Sequence, residues 1–191
     1  MDDAETTSLL AASLEAFLHQ LVFAMNVYPS DSFTKSTFLG IVGQTNRHSG
    51  VVDYISQCIH VAVPVLLGGS GSQMIVIVGK ERFVLTIRLM QSSRLMESRL
   101  RDLILSVHAM ERRKEKHDSF QIQLLPVTDD CPELIRGMSD GQWYQVNNQA
   151  CTQEGRRIRP IHDIQSGDCE ISFFAQRSSS SESTSSYASA S

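Results

Sequence analysis

Four groups of residues have the types and spacing from which chemistry could be built. Gly68-Gly69-Ser70-Gly71 and Gly79-Lys80 invite comparison with a phosphate-binding loop, which needs G-x-x-x-x-G-K-[ST] between a strand and a helix. Gly79-Lys80 is followed by Glu81, and Met74 stands where the first glycine should be. The glycine run follows a predicted helix and precedes a predicted strand. That is the wrong order for aiming a helix N-terminus at a phosphate. Cys58 and His60 are two apart on a helix, point to different faces, and do not grip one metal. His108 and His117 have no cysteine nearby in sequence. No G-x-S-x-G nucleophile turn is present. A Cys–His pair would meet only in space, and no residue cluster argues for one. The expectation is no catalytic residue, no metal and no cofactor.

The fourth group is basic. Arg112-Arg113-Lys114 and Arg156-Arg157-Ile158-Arg159 are local clusters, and arginine outnumbers lysine thirteen to four among the seventeen. Arginine suits carboxylate recognition and protein interfaces. Yet the whole chain of 191 residues has a formal charge of −4 and a pI near 5.8. It is not built to coat nucleic acid or an anionic membrane. These features point to a binding module.

The size is one ordinary domain, able to bury a core without metals or disulfides. The longest uninterrupted apolar run, Val61 to Leu67, is seven residues, far short of a bilayer span. The opening Met1-Asp2-Asp3-Ala4-Glu5 is acidic where a signal peptide is basic. Cys58, Cys131, Cys151 and Cys169 are widely spaced and read as thiols. A nuclear or cytosolic protein is expected.

Periodicity predicts the elements. Leu10, Leu14, Phe17, Leu18, Leu21, Val22 and Met25 form one apolar stripe of a helix that should stop near Val27-Tyr28-Pro29. A polar loop is expected from Ser30 to Gly50. A second helix over 50–67 carries Val51, Tyr54, Ile55, Cys58, Ile59, Ala62 and Leu66 on one face, with Pro64 bending or ending it. Met74–Val78 and Arg82–Leu89 read as a hairpin. A third helix is expected over 93–111 and a strand over 120–127. The stretch 129–175 is irregular and ends in a strand at 169–175. Residues 178–191 hold nine serines in fourteen and are expected to be a disordered tail. The fold class is α+β, helices on a mostly antiparallel sheet.

The series of motifs resembles the HORMA domain. A first helix runs into Val27-Tyr28-Pro29 and Phe33. Arg47-His48-Ser49-Gly50-Val51-Val52-Asp53-Tyr54-Ile55 leads the second helix. Ile75-Val76-Ile77-Val78 and Glu81-Arg82-Phe83-Val84-Leu85 make the hairpin, and Leu100-Arg101-Asp102-Leu103-Ile104-Leu105 sits in the third helix. Arg159-Pro160-Ile161 precedes Ile171-Ser172-Phe173-Phe174. The resemblance covers about residues 8–176. It is similar above all to the branch that serves as the non-catalytic accessory subunit of translesion DNA polymerase zeta, with the spindle-checkpoint branch as the alternative.

The resemblance implies a HORMA domain over 1–177 whose C-terminal segment, about 129–176, closes as a safety belt over a partner's short peptide. Such a domain is an adaptor, not an enzyme. It implies Tyr54 and Trp143 in the peptide pocket, with Gln145 where the family has leucine. It implies a second partner surface at Ile158, Ser172 and Phe174. Family dimers use the third helix, where Arg101 matches a family arginine and Asn26 replaces its acidic counterpart. The implied partners are a proline-containing peptide of the polymerase zeta catalytic subunit, the C-terminal domain of the translesion deoxycytidyl transferase scaffold, and an AAA+ remodelling ATPase.

Overall fold

The structure, a computed structural model, describes residues 3–68, 72–89, 96–126, 156–166 and 169–178. The elements run α1 (Asp3–Ala24), a 3₁₀ turn (Ser30–Ser32), β1 (Phe33–Phe38), β2 (Ile41–Asn46), α2 (Ser49–Gly68), β3 (Gln73–Val78), β4 (Glu81–Leu89), α3 (Met96–His108), β5 (Phe120–Leu125), β6 (Arg156–Ser166) and β7 (Cys169–Ser178). β1 and β2 form a separate hairpin. The main sheet has the order β5-β3-β4-β7-β6, and every pairing in it is antiparallel. This is the expected α+β class.

Helix α1 is the centre of the molecule, packed against α2, α3 and β2. Its predicted stripe is fully buried. Phe17 meets Phe173 of β7 edge-on at 5.0 Å, and Phe173 stacks with Phe83 of β4 at 6.2 Å. Each ring removed from water contributes about 1.5–3 kcal/mol. The stripe is only part of the story, because Ser13, His19 and Gln20 are buried too. His19 and Gln20 meet the β1–β2 hairpin, which lies where a polar loop was expected, while the Ser13 hydroxyl donates to the Leu9 carbonyl within α1. The Gln44 amide donates to Gln20 Oε1 at 3.0 Å, and the Asn46 amide to His19 Nδ1 at 3.4 Å. The hairpin signal is Leu39-Gly40. Both residues have positive φ, as a tight two-residue turn demands, and Phe38 pairs with Ile41 across it.

One helix end differs from expectation. α1 stops at Ala24, ahead of the Tyr28-Pro29 signal. Asn26 adopts φ 55°, its amide donates to the Phe23 carbonyl, and the Val27 amide donates to that of Val22. That pair of bonds is a Schellman cap, with asparagine in place of glycine. α2 ends at Gly68, one residue past the expected Leu67, with Pro64 inside the helix. α2 is also buried off its predicted face, at Val61, Val63 and Val65, while Tyr54 is 38% exposed. The stretch expected to be irregular contains a long strand, β6, with a bulge between Pro160 and His162. A proline and a bulge hid it from a search for strict alternation. Trp143, Gln145 and most of the expected belt, 127–155, lie outside the described residues, as does the tail beyond 178.

Two helices, Ala4–Ala24 and Ser49–Gly68, are long and apolar enough to cross a membrane, with mean hydropathy 1.3 and 1.5. The expectation from uninterrupted runs is corrected on this point. Here both helices spend their apolar residues on the core.

The connection from α3 to β5 is strapped over the end of α1. The Arg113 amide donates to the Ala24 carbonyl at 2.7 Å. Arg112 Nη2 donates to Asn26 Oδ1 at 2.7 Å and to the Tyr28 carbonyl at 3.2 Å, and its guanidinium lies 4.8 Å over the Phe23 ring. Asn26 thus serves an intrachain cap, and Arg101 lies exposed elsewhere on α3. His117 closes on the β3–β4 turn, where Gly79 has φ 57° and a Cβ would stand 2.8 Å from His117 Nδ1.

Two predictions follow from these contacts. Gly79→Ala should destabilise by about 1–3 kcal/mol, from the left-handed φ and the collision together. Urea unfolding of the variant measures it. Burial lowers the His19 pKa from 6.5 to about 4. The neutral ring is the buried form, so its contribution is complete above pH 6.5 and is lost as pH falls toward 4. The stability difference between wild type and His19→Gln should therefore shift with pH across that window. Urea midpoints at pH 7 and pH 4.5 test this.

Candidate functional site

The two edges of the main sheet are chemically unlike. β6 carries Arg156, Arg157, Arg159 and Pro160 plus a bulge, the features that discourage another strand from adding. β5 reads Phe120-Gln121-Ile122-Gln123-Leu124-Leu125, with no charge and no proline. It pairs with β3 along one side over its whole length. Among the described residues nothing pairs with its other side. Those backbone groups can accept an added strand, with alternate side-chain pockets supplying selectivity.

An aromatic group stands at the start of this edge. The Phe120 ring lies between Tyr54 of α2, at 5.4 Å and 73°, and Tyr28 of the α1–β1 connection, at 6.5 Å and 87°. Both contacts are edge-to-face, the favoured arrangement for aromatic pairs. Tyr54 projects from α2 one turn before Cys58. Burial pushes the Cys58 thiol up to about 11, against a hydrogen bond with Tyr54 that pulls the other way. Burial also raises Tyr28 above its ordinary value. Arg112 fixes the Tyr28 backbone, as described above, so the strap sets where this ring meets Phe120. Of the three expected pocket residues, Tyr54 alone lies among the described residues. Phe120 and Tyr28 were missed, although Tyr28 sits in the Val-Tyr-Pro motif and Phe120 opens a predicted strand.

The second expected surface is assembled as one face. Ile171, Phe173 and Ala175 point into the core, so Ser172 and Phe174 point away from the helices. Ile158 pairs with Gln176 and shares that outer face. Ile158 is 57% exposed and Phe174 half-buried. The Ser172 hydroxyl donates to Asp163 Oδ1 at 2.9 Å and is already engaged. Arg101 lies on the solvent face of α3 near exposed Leu105. Between α3 and β6, burial lowers the His162 pKa, with Asp102 and Asp163 opposing. Among the described residues no group of three or more His, Cys, Asp or Glu is placed to hold a metal ion.

The architecture is the HORMA fold. No protein-family model matches the chain, and no curated protein does. Solved structures match it along nearly its whole length. A chain of the crystal structure of the mitotic checkpoint complex has a TM-score of 0.66 at 12% identity, covering 93% of this chain and 97% of that one. C. elegans HTP-2 bound to the HIM-3 closure motif has a TM-score of 0.59 at 12% identity, covering 94% and 92%. C. elegans HTP-1 bound to the HIM-3 closure motif scores 0.56 at 12% identity, covering 92% and 91%.

Because its anionic form is disfavoured, Cys58 should resist alkylation in the native protein and react on unfolding. Iodoacetamide labelling at pH 8, read by peptide mass spectrometry with and without urea, tests this. Tyr54→Phe removes a hydrogen bond that favours the thiolate, so it should not quicken the native labelling.

Proposed function

We propose that this chain is a non-catalytic adaptor that takes a short partner peptide as an added strand along β5. The observation that carries the reading is the contrast between the two sheet edges, one guarded by arginine, proline and a bulge, the other apolar and uncharged. Two further findings support it. Tyr54, Phe120 and Tyr28 supply aromatic anchorage beside the open edge, of the kind that dominates peptide affinity. The similar HTP-1 and HTP-2 structures are bound to closure motifs.

The sheet order adds a kinetic argument. β5 and β6 are the opposite edges, and residues 127–155 join them. On our reading this segment is the belt that closes over the peptide, with Trp143 and Gln145 completing the pocket. A peptide so held would leave only when the belt opens, so residence time need not reflect contact area.

The particular adaptor we propose is the accessory subunit of translesion DNA polymerase zeta, acting in the nucleus on a proline-containing peptide of the catalytic subunit. Ile158, Ser172 and Phe174 would meet the deoxycytidyl transferase scaffold, an AAA+ ATPase would reopen the loop, and Arg101 would lie in a self-association face. The sequence order of motifs supports this branch. The spindle-checkpoint reading is favoured by one observation, the higher TM-score of the checkpoint-complex chain.

Fluorescence anisotropy with peptides of the two candidate partners separates the readings. The polymerase peptide should bind the wild-type chain. Tyr54→Ala should weaken it at least tenfold, and Ile158→Arg should leave it unchanged. Binding of checkpoint-activator peptides alone would reassign the branch while keeping the mechanism. Binding that survives both Tyr54→Ala and Phe120→Ala would remove the β5 edge as the site.

A further inference from the structure

Beyond the C-terminus of α3 lies a cleft of about 380 Å³ between the α3–β5 strap and β6, lined by Ser106, Met110, Glu111, Arg113, Arg159 and Ile161 among others. It is far along the sheet from β5, and the proposed peptide site does not use it. The surface around it carries more arginine than carboxylate. Arg113 is matched by Glu81, which its Nη2 meets at 3.1 and 3.2 Å. Arg159 is exposed, and among the described residues no carboxylate pairs with it. Arg157 lies two residues earlier on the same face of β6. Directly across from Arg157, in register on β7, stands Arg177.

Like charges opposed across a strand pair destabilise it. Arg157, Arg159 and Arg177 share one sheet face; Arg177 also stands in register with Glu81 of β4, which Arg113 already engages, and Glu111 lines the cleft, so four arginines face two carboxylates and leave an excess of positive charge. Arginine presents a planar fork that suits phosphate oxygens in a bidentate mode. The local rule is broken where an anion would repair it.

The chain itself supplies the anion's carrier. Arg177 is followed at once by Ser178, whose register partner is Arg156 at the mouth of this cluster. Residues 179–191 then hold eight serines and a threonine. Thirteen residues reach at most about 43–47 Å when extended. Turning back from Ser178 to Arg159 spans a few residues of strand, about 10 Å. We propose that this cleft is a phosphate site whose occupant is a phosphorylated serine of the chain's own residues 179–191. A serine/threonine kinase would transfer the γ-phosphoryl group of ATP to the serine Oγ, releasing ADP and a proton. The phosphoserine carries about −1.5 to −2 charges at neutral pH. Held between Arg159 of β6 and the end of α3, it staples the β6–β7 hairpin to the helix layer.

The test uses the full chain with one phosphoserine installed by ligating a synthetic phosphopeptide at the tail. Phosphorylation should raise Tm by about 3–6 °C at low salt. The gain should shrink in 0.5 M NaCl and be independent of protein concentration, as an intramolecular contact requires. Arg157→Gln/Arg159→Gln should abolish the gain, and so should Arg177→Gln in part. These side chains are exposed, so the unphosphorylated variants should melt within about 2 °C of wild type. No gain on phosphorylation would overturn the proposal, as would an equal gain in the double variant. A phosphopeptide that binds the cleft only when added in trans would overturn the chain's own tail as its occupant.

Discussion

The fold depends on a helix whose stretch from Phe17 to Val22 is buried on every side. α1 must satisfy the sheet through Phe17, its neighbouring helices through its leucines, and the β1–β2 hairpin through His19 and Gln20. A helix buried all round normally carries only apolar residues. Here two polar side chains lie inside because strand β2 offers them backbone amides. Those amides would otherwise face the helix without an acceptor, which is costly. The arrangement also fixes everything downstream. The Schellman cap at Asn26 ends α1 at one point, and the strap built on Arg112 and Arg113 uses that point as its anchor.

This anchoring connects the core to the open edge. Phe120 begins β5 immediately after the strap, and Tyr28 lies immediately after the cap. Two tyrosines from separate elements are thereby held against one ring, before any ligand arrives. A preformed group of this kind loses little rotamer freedom on binding, which is where small interfaces otherwise lose affinity. The far edge shows the opposite treatment, with charge, proline and a bulge. Under the proposed function, a sheet that admits one strand and refuses others needs this inequality.

The helices and the β3–β4 hairpin were legible in the sequence because their apolar periods are unbroken. The predicted stripe of α1 is buried in the core. The β1–β2 hairpin was not legible. Its strand Thr34 to Thr37 is exposed, so no alternation marks it, and its turn uses Leu39 at positive φ rather than Asn-Gly. β6 was hidden by Pro160 and by the bulge that shifts its face at Ile161. The end of α1 was misplaced because a proline signal at Pro29 outweighed an asparagine cap three residues earlier. At the candidate site, Tyr54 was legible through motif resemblance. Its partnership with Phe120 joins residues sixty-six positions apart, which no local pattern encodes.

The central strand pairing has a consequence for biosynthesis. β4 pairs with β3 on one side and with β7 on the other, and Leu89 meets Cys169 while Glu81 meets Arg177. The three helices and the strands β1 to β6 are all made before β7 exists. At about 5–20 residues per second, the ribosome needs roughly 4–18 s to pass from the end of β4 to the end of β7. Throughout that interval β4 is itself an open edge, with Phe83, Val84, Leu85 and Ile87 along it. The nascent chain therefore carries two apolar edges where the finished protein keeps one. Chaperone cover, or a delay in β4 docking, has to bridge that gap.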